Sequence, residues 1–63
     1  MMKIFNYTND HGYHKRLCVY EEENGKYPCV LWSMDNGELC GTGQLTREEI
    51  NDLLSNYGLS FDN

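Results

Sequence analysis

The chain has 63 residues, ten acidic and five basic side chains, three cysteines and a formal net charge of -5. This length suits one domain, residues 1–63, with a small core and marginal stability, and the negative charge opposes unaided binding to nucleic acid or anionic lipid. An odd cysteine count, the lack of an apolar leader and the lack of a membrane-length apolar run predict a reduced, cytoplasmic protein with no membrane partner.

The excess charge is confined to the second half of the chain. In residues 1–34 four acids balance four bases, whereas residues 35–63 hold six acids against Arg47 alone. The acidic half also contains the predicted helix.

Residues 3–8 are rich in β-branched and aromatic types and predict a first strand. Residues 9–12 follow as a turn. The register of this strand stays open, because a shift of one residue decides whether Ile4 or the pair of Phe5 and Tyr7 faces the core.

Two Asn-Gly dipeptides, Asn24-Gly25 and Asn36-Gly37, flank an apolar segment at residues 27–34. Asn-Gly between strands favours a two-residue type I′ turn, which needs positive φ at both positions. The two turns predict a meander whose second strand runs from residue 13 to about 22. The Asn24-Gly25 turn would pair Glu23 with Lys26.

Pro28 lacks a backbone N–H and cannot donate to the ladder. We therefore expect a bulge or an unpaired site at Pro28, near the start of its strand.

Counting from these turns predicts the cross-strand pairs and hence the two faces of the sheet. The pairs are Val19 with Val30, Leu17 with Trp32, Tyr20 with Cys29, Cys18 with Leu31, Met34 with Leu39, and Trp32 with Gly41. The better core face collects Leu17, Val19, Val30, Trp32, Met34 and Leu39. The other face collects Arg16, Cys18, Tyr20, Tyr27, Cys29, Leu31 and Cys40.

The helix is predicted from its caps and its period. Thr46 and Glu49 are spaced as a capping box, and Gly58 suits the position after the last turn. Apolar residues recur at helical spacing at Ile50, Leu53, Leu54 and Tyr57. We expect this stripe to cover the Val30 and Trp32 face, with Leu59 and Phe61 tucked against the same core.

The cysteines and histidines suggest two hypotheses, a metal site and a catalytic site. The alternative is that these residues have only a structural role. Cys18, Cys29 and Cys40 are spaced by eleven, but in a meander such spacing separates the thiols too widely for a zinc site or a disulfide. His14 beside Asp10 or a cysteine lacks the pocket that hydrolysis requires. We therefore expect three free thiols, no metal, no cofactor and no catalytic residue.

Two surface features predict binding to another molecule. Tyr20 and Tyr27 on the second face predict a protein contact, because tyrosine is favoured at interfaces. The acids of the predicted helix and of the second turn would form a ridge that imitates a row of phosphates. These acids are Glu48, Glu49, Asp52, Asp35 and Glu38, with the last two expected near the helix start.

We therefore expect an α+β fold, a four-stranded antiparallel meander with one C-terminal helix packed on one face. The leading functional hypothesis is a non-enzymatic, acidic protein-binding module, such as a phage or mobile-element inhibitor that blocks the basic surface of a nucleic-acid-binding host protein. One alternative is a homodimeric structural or regulatory subunit that uses the Tyr and Cys face. Another is a weak binder of single-stranded nucleic acid, with aromatic rings beside Lys15, Arg16 and Lys26.

Overall fold

The computed structural model describes residues 2–62, which form four strands and one helix. The strands are β1 (Lys3–Thr8), β2 (His14–Val19), β3 (Tyr27–Ser33) and β4 (Leu39–Leu45), and the helix is α1 (Arg47–Ser55). The strands form one antiparallel sheet in the order β1-β2-β3-β4. The predicted α+β meander with a C-terminal helix is confirmed. Within these residues no helix is long and apolar enough to cross a membrane.

The first hairpin places Phe5 and Tyr7 toward the core. Its loop is held by Asn9, whose side-chain oxygen accepts hydrogen bonds from the backbone N–H groups of residues 11 and 13. Phe5 pairs with Leu17, and directly opposed residues share a face. Phe5 and Tyr7 pack against the buried core, whereas Ile4 is 47% exposed. The sequence left open which of these side chains face the core, and the structure shows that Phe5 and Tyr7 do.

The Asn24-Gly25 turn has its predicted form. Both residues have positive φ, 54° and 85°, as a type I′ turn requires. Glu23 and Lys26 exchange backbone hydrogen bonds of 2.7 and 3.1 Å, which confirms their predicted pairing.

A bulge directly beyond this turn shifts the ladder by one residue. The next backbone hydrogen bond runs from the Tyr20 N–H to the Pro28 carbonyl, 2.9 Å, so residues 21 and 22 lie opposite residue 27 alone. Val19 then pairs with Cys29. The bulge lies beside Pro28, where the missing N–H already interrupts the ladder, and this placement of the proline was expected.

The predicted pairs between β2 and β3 are wrong because of this bulge. A one-residue shift turns every side chain of a strand to the opposite face. Tyr27, Cys29 and Leu31 therefore point toward α1, whereas Val30 and Trp32 point away from it. The incorrect pairs are Val19 with Val30, Leu17 with Trp32, Tyr20 with Cys29, and Cys18 with Leu31.

The second Asn-Gly dipeptide does not form a two-residue turn. Gly37 has a positive φ of 73° but Asn36 does not. The Ser33 N–H donates to the Glu38 carbonyl at 2.8 Å, which closes a four-residue loop at 34–37. A second irregularity follows, and the pairs become Leu31 with Gly41 and Trp32 with Leu39. The predicted pairs Met34 with Leu39 and Trp32 with Gly41 are wrong because the longer loop moves the closing pair.

The helix begins and ends as predicted. The Thr46 hydroxyl accepts the Glu49 N–H, and a Glu49 carboxylate oxygen accepts the Thr46 N–H, so the capping box is complete. Beyond the last turn Gly58 has a φ of 73°, and the Leu59 N–H bonds back to the Leu54 carbonyl. This is the hydrogen-bonding pattern of a glycine-terminated helix.

The core lies between α1 and one face of the sheet. Its buried members are Leu17, Val19, Cys29, Ile50, Leu54 and Phe61. The predicted apolar stripe of α1 and the predicted docking of the C-terminal tail are confirmed. The expectation that the helix covers Val30 and Trp32 is wrong, since Trp32 is 36% exposed on the other face.

Candidate protein-binding surfaces

The acids of α1 form only part of the predicted ridge. Glu48 and Asp52 are exposed on the outer side of the helix. Glu49 is also exposed, but its carboxylate is held by the Thr46 N–H at 2.9 Å. This hydrogen bond from the Thr46 backbone is the main reason that the pKa of Glu49 lies below its ordinary value. Glu48 and Asp52 are therefore the ridge acids that the cap does not engage.

The two loop acids lie at the wrong end of the sheet to extend this ridge. The loop precedes β4 and the helix follows it, so the seven residues of β4 separate them by about 20 Å. Tyr57, beyond the C-terminal end of α1, stacks on Tyr7 at 4.2 Å, and Tyr7 lies in the same row as Ser33. The expectation that Asp35 and Glu38 lie near the helix start is therefore wrong.

Asp35 is engaged by His14. One carboxylate oxygen accepts the His14 backbone N–H and the other lies against its ring Nδ1, both at 2.9 Å. The hydrogen bond with the His14 side chain is the main cause that lowers the pKa of the Asp35 carboxyl. The two side chains are 65% and 42% exposed, so no pocket encloses the pair, and it fastens the loop to the start of β2.

The two tyrosines predicted to share a contact surface lie on opposite faces. Tyr27 is half-buried on the helix side, where its ring meets Phe61 edge-on at 5.0 Å. Its hydroxyl accepts a hydrogen bond from Arg47 at 2.8 Å, and Arg47 also pairs with Asp62. Tyr20 lies opposite Pro28 on the other face and is 41% exposed. Tyr27 thus packs against the core. The two tyrosines do not share one face of the sheet, although both residues line a pocket of about 350 Å³ at the end of β2.

The three cysteines are free thiols that the sheet keeps apart. Cys18 and Cys29 are buried on opposite faces, because the bulge pairs Cys18 with Val30 and Cys29 with Val19. Cys40 is exposed, with its sulfur 3.3 Å from the Lys15 ammonium. In residues 2–62 no group of three or more histidines, cysteines and acids is arranged to hold a metal ion.

The surface that the sequence prediction missed is the sheet face opposite α1, which we call the helix-free face. Its exposed apolar side chains include Ile4, Tyr20, Trp32 and Met34, placed there by the observed register. Met34 continues the ladder, since its N–H bonds to the His14 carbonyl at 2.8 Å. The available signal was Pro28, which made a bulge near the start of β3 an expected feature.

The helix-free face carries no acid along its strands, although the chain has ten. Alternation from the observed pairs assigns it Ile4, Asn6, Thr8, His14, Arg16, Cys18, Pro28, Val30, Trp32, Leu39, Thr42 and Gln44. Arg16 lies directly opposite Trp32 and donates to the Asn6 side chain at 2.9 Å. The Arg16 guanidinium, hydrogen-bonded to Asn6 and next to the exposed Trp32 indole, is thus the main charged group of this face.

Comparison of the chain with protein-family models, with curated proteins and with solved structures found no match.

Proposed function

We propose that this protein is a non-enzymatic, acidic protein-binding module that docks through its helix-free face. The observation that carries the proposal is the acid-free apolar surface around Trp32, with Met34 exposed directly beyond the end of β3 and Ile4 exposed on β1, across β2 from β3. Exposed apolar side chains that cluster on one face mark protein contacts. Tryptophan and arginine side by side are the residue types that contribute most to binding energy at interfaces.

The partner we propose has an apolar patch surrounded by basic side chains. The acids lie outside the strands of the helix-free face, so a docked partner would meet them only at the rim. Rim charges speed association more than they strengthen the complex. A host protein whose basic surface normally takes nucleic acid has this chemistry, and inhibition of such a protein, in a reducing cytoplasm, is the role we propose.

Affinity capture with an immobilised chain tests this proposal. Wild type should capture basic proteins faster at low salt than at high salt, since rim charges are screened, while the bound proteins should stay largely retained at high salt because the apolar contact holds them. Trp32→Glu should lose these proteins, because a carboxylate would be buried in the apolar contact. The matched control is Tyr13→Glu, which alters a side chain that is 55% exposed and outside the helix-free face.

Equal capture by wild type and Trp32→Glu would contradict the proposal, as would a captured set that is not basic. Circular dichroism of both variants should match wild type, because each replaces an exposed side chain. A reversal of charge on the ridge, Glu48→Lys with Asp52→Lys, should slow capture without abolishing it.

A homodimer formed by two helix-free faces is the second candidate. It is favoured by the same lack of acids, because two copies paired in this way keep their acidic helices on the outside. Sedimentation at micromolar concentration distinguishes the candidates. A dimer that Trp32→Glu dissociates would support the homodimer, and a monomer at all concentrations would exclude it.

A further inference from the structure

Strand β4 is an open edge with no charged side chain and no proline. Its seven residues read Leu-Cys-Gly-Thr-Gly-Gln-Leu, and it ends the sheet order. The other edge strand, β1, carries Lys3, whose ammonium bonds to the Phe61 carbonyl at 2.9 Å. In natural proteins a lysine, a proline or a covering segment usually prevents an edge strand from pairing with another chain. Apart from the irregularity at its start, β4 has none of these features.

The backbone groups that β4 presents outward can be assigned from the ladder. The Tyr20 N–H bonds to the Pro28 carbonyl, so Pro28 directs its backbone toward β2, and the alternate residues Cys29 and Leu31 direct theirs toward β4. Their partners in β4 are Gly43 and Gly41. The N–H and C=O groups of residues 42 and 44 therefore face outward, where an added strand would meet them.

Beside this edge lies an apolar cleft on the helix side of the sheet. It has a volume of about 210 Å³ and runs between β4 and Leu53 of α1. Gly41 and Gly43 form its floor, and a Cβ atom added at either position would meet nothing within 4 Å. The remaining walls are Leu17, Cys29, Leu31, Thr42 and Leu45.

We propose that β4 binds an extended segment of a partner protein as an antiparallel fifth strand, with alternate apolar side chains of that segment in the cleft. The open backbone groups supply the hydrogen bonds, and the cleft selects side chains at every second position. Antiparallel pairing is the more stable form. This site lies at the β4 edge and on the helix side of the sheet, and it does not depend on the exposed Trp32 surface.

A second copy of this chain fits the site less well than a foreign segment. If two β4 strands paired antiparallel about Thr42, Gly41 of one copy would lie opposite Gly43 of the other. Neither glycine has a side chain to fill the cleft, so the apolar walls would stay exposed. A segment with apolar side chains at alternate positions buries them.

The charge around the cleft favours a basic segment. Glu49 lies one helical turn before Leu53, on the same side of α1, and it is exposed. A lysine or arginine at one end of the bound segment would lie near this carboxylate.

The probe that tests the proposal is the synthetic peptide Lys-Val-Thr-Val-Thr-Val-Lys. With the valines in the cleft, the backbone of each threonine faces β4. We expect saturable NMR shift changes at the amides of Thr42 and Gln44 and at the methyl groups of Leu53. N-methylation of the two threonines should weaken binding at least about tenfold, the equivalent of about 1.4 kcal/mol. N-methylation of the valines is the matched control and should be tolerated.

Variants of the protein test the cleft independently of the backbone. Gly43→Leu should weaken peptide binding about tenfold, because it fills the cleft, and it should not disturb the fold, since the position is open. Gln44→Leu is the control on the same strand and the opposite face, and it should bind as wild type does. Trp32→Glu should leave peptide binding unchanged.

Absence of shifts at Thr42 and Gln44 up to millimolar peptide would overturn the proposal. Unaltered binding after threonine N-methylation or in Gly43→Leu would do the same. A β4-mediated dimer in sedimentation, dissociated by Thr42→Pro, would replace the foreign segment with a second copy. Because loss of capture in Trp32→Glu concerns the other face, the two proposals can fail separately.

Discussion

His14 and Asp35 show how one residue pair fixes a loop. The Asp35 carboxylate accepts both the backbone and the ring of His14, which anchors the loop at 34–37 to the beginning of β2. The pair lowers the pKa of Asp35. A carboxyl with a lowered folded pKa stabilises the fold above its unfolded pKa, and this contribution is lost as the pH falls through the folded value.

We expect His14→Ala to raise the pKa of Asp35 part of the way toward the ordinary aspartate value of about 3.9. The rise is incomplete because the backbone N–H of residue 14 remains as a donor. The side-chain carboxyl carbon of Asp35, followed by NMR across acidic pH, measures this. His11→Ala, in the first loop, is the control, and an Asp35 titration equally altered by it would contradict the assignment.

At the scale of elements, the helix is determined mainly by local signals. Its capping box, glycine end and apolar stripe all occur where the spacing of residues 46–58 places them. Each of these features is satisfied within about one turn of the chain, so no distant contact can shift it. The strands differ, because their pairing depends on how the turns between them close.

Thr46→Ala should lower the free energy of unfolding by about 1 kcal/mol, since the helix loses a side-chain acceptor at its first turn. For a domain of this size, the melting temperature should fall by roughly 4–8 °C per kcal/mol. Urea unfolding gives the free energy directly. Thr46→Ser keeps the hydroxyl, and serine caps helices at least as well as threonine, so its free energy of unfolding should stay close to that of wild type. Equal losses in both variants would show that the cap is not the cause.

At the scale of the whole molecule, the fold places acidic and apolar side chains in separate layers. The acidic helix lies on one side, the apolar core lies beneath it, and the acid-free sheet face lies on the other side. A net charge of -5 repels nucleic acid at a distance, and a single held arginine on the helix-free face offers little to offset this.

Trp32 fluorescence should therefore stay unchanged when a single-stranded oligonucleotide is added at about 0.15 M salt, where surface charges beyond roughly 8 Å are screened. The indole is exposed and would be quenched by a stacked base. A saturable quench that Arg16→Gln abolishes would contradict this prediction and favour the single-strand binder. Tyr13→Phe serves as the control for changes remote from the indole.

The α+β class, the number of strands, the Asn24-Gly25 turn and both ends of the helix could be predicted from the sequence, because each depends on residues close together in the chain. The β3 side chains that face the helix could be identified only from the folded chain. Residues 21 and 22 share one opposing residue. Pro28 indicated a bulge or an unpaired site near this point, but it did not indicate that the ladder would shift by one residue. Since strand faces alternate with a period of two, that single extra residue moved Trp32 to the surface and Tyr27 into the core.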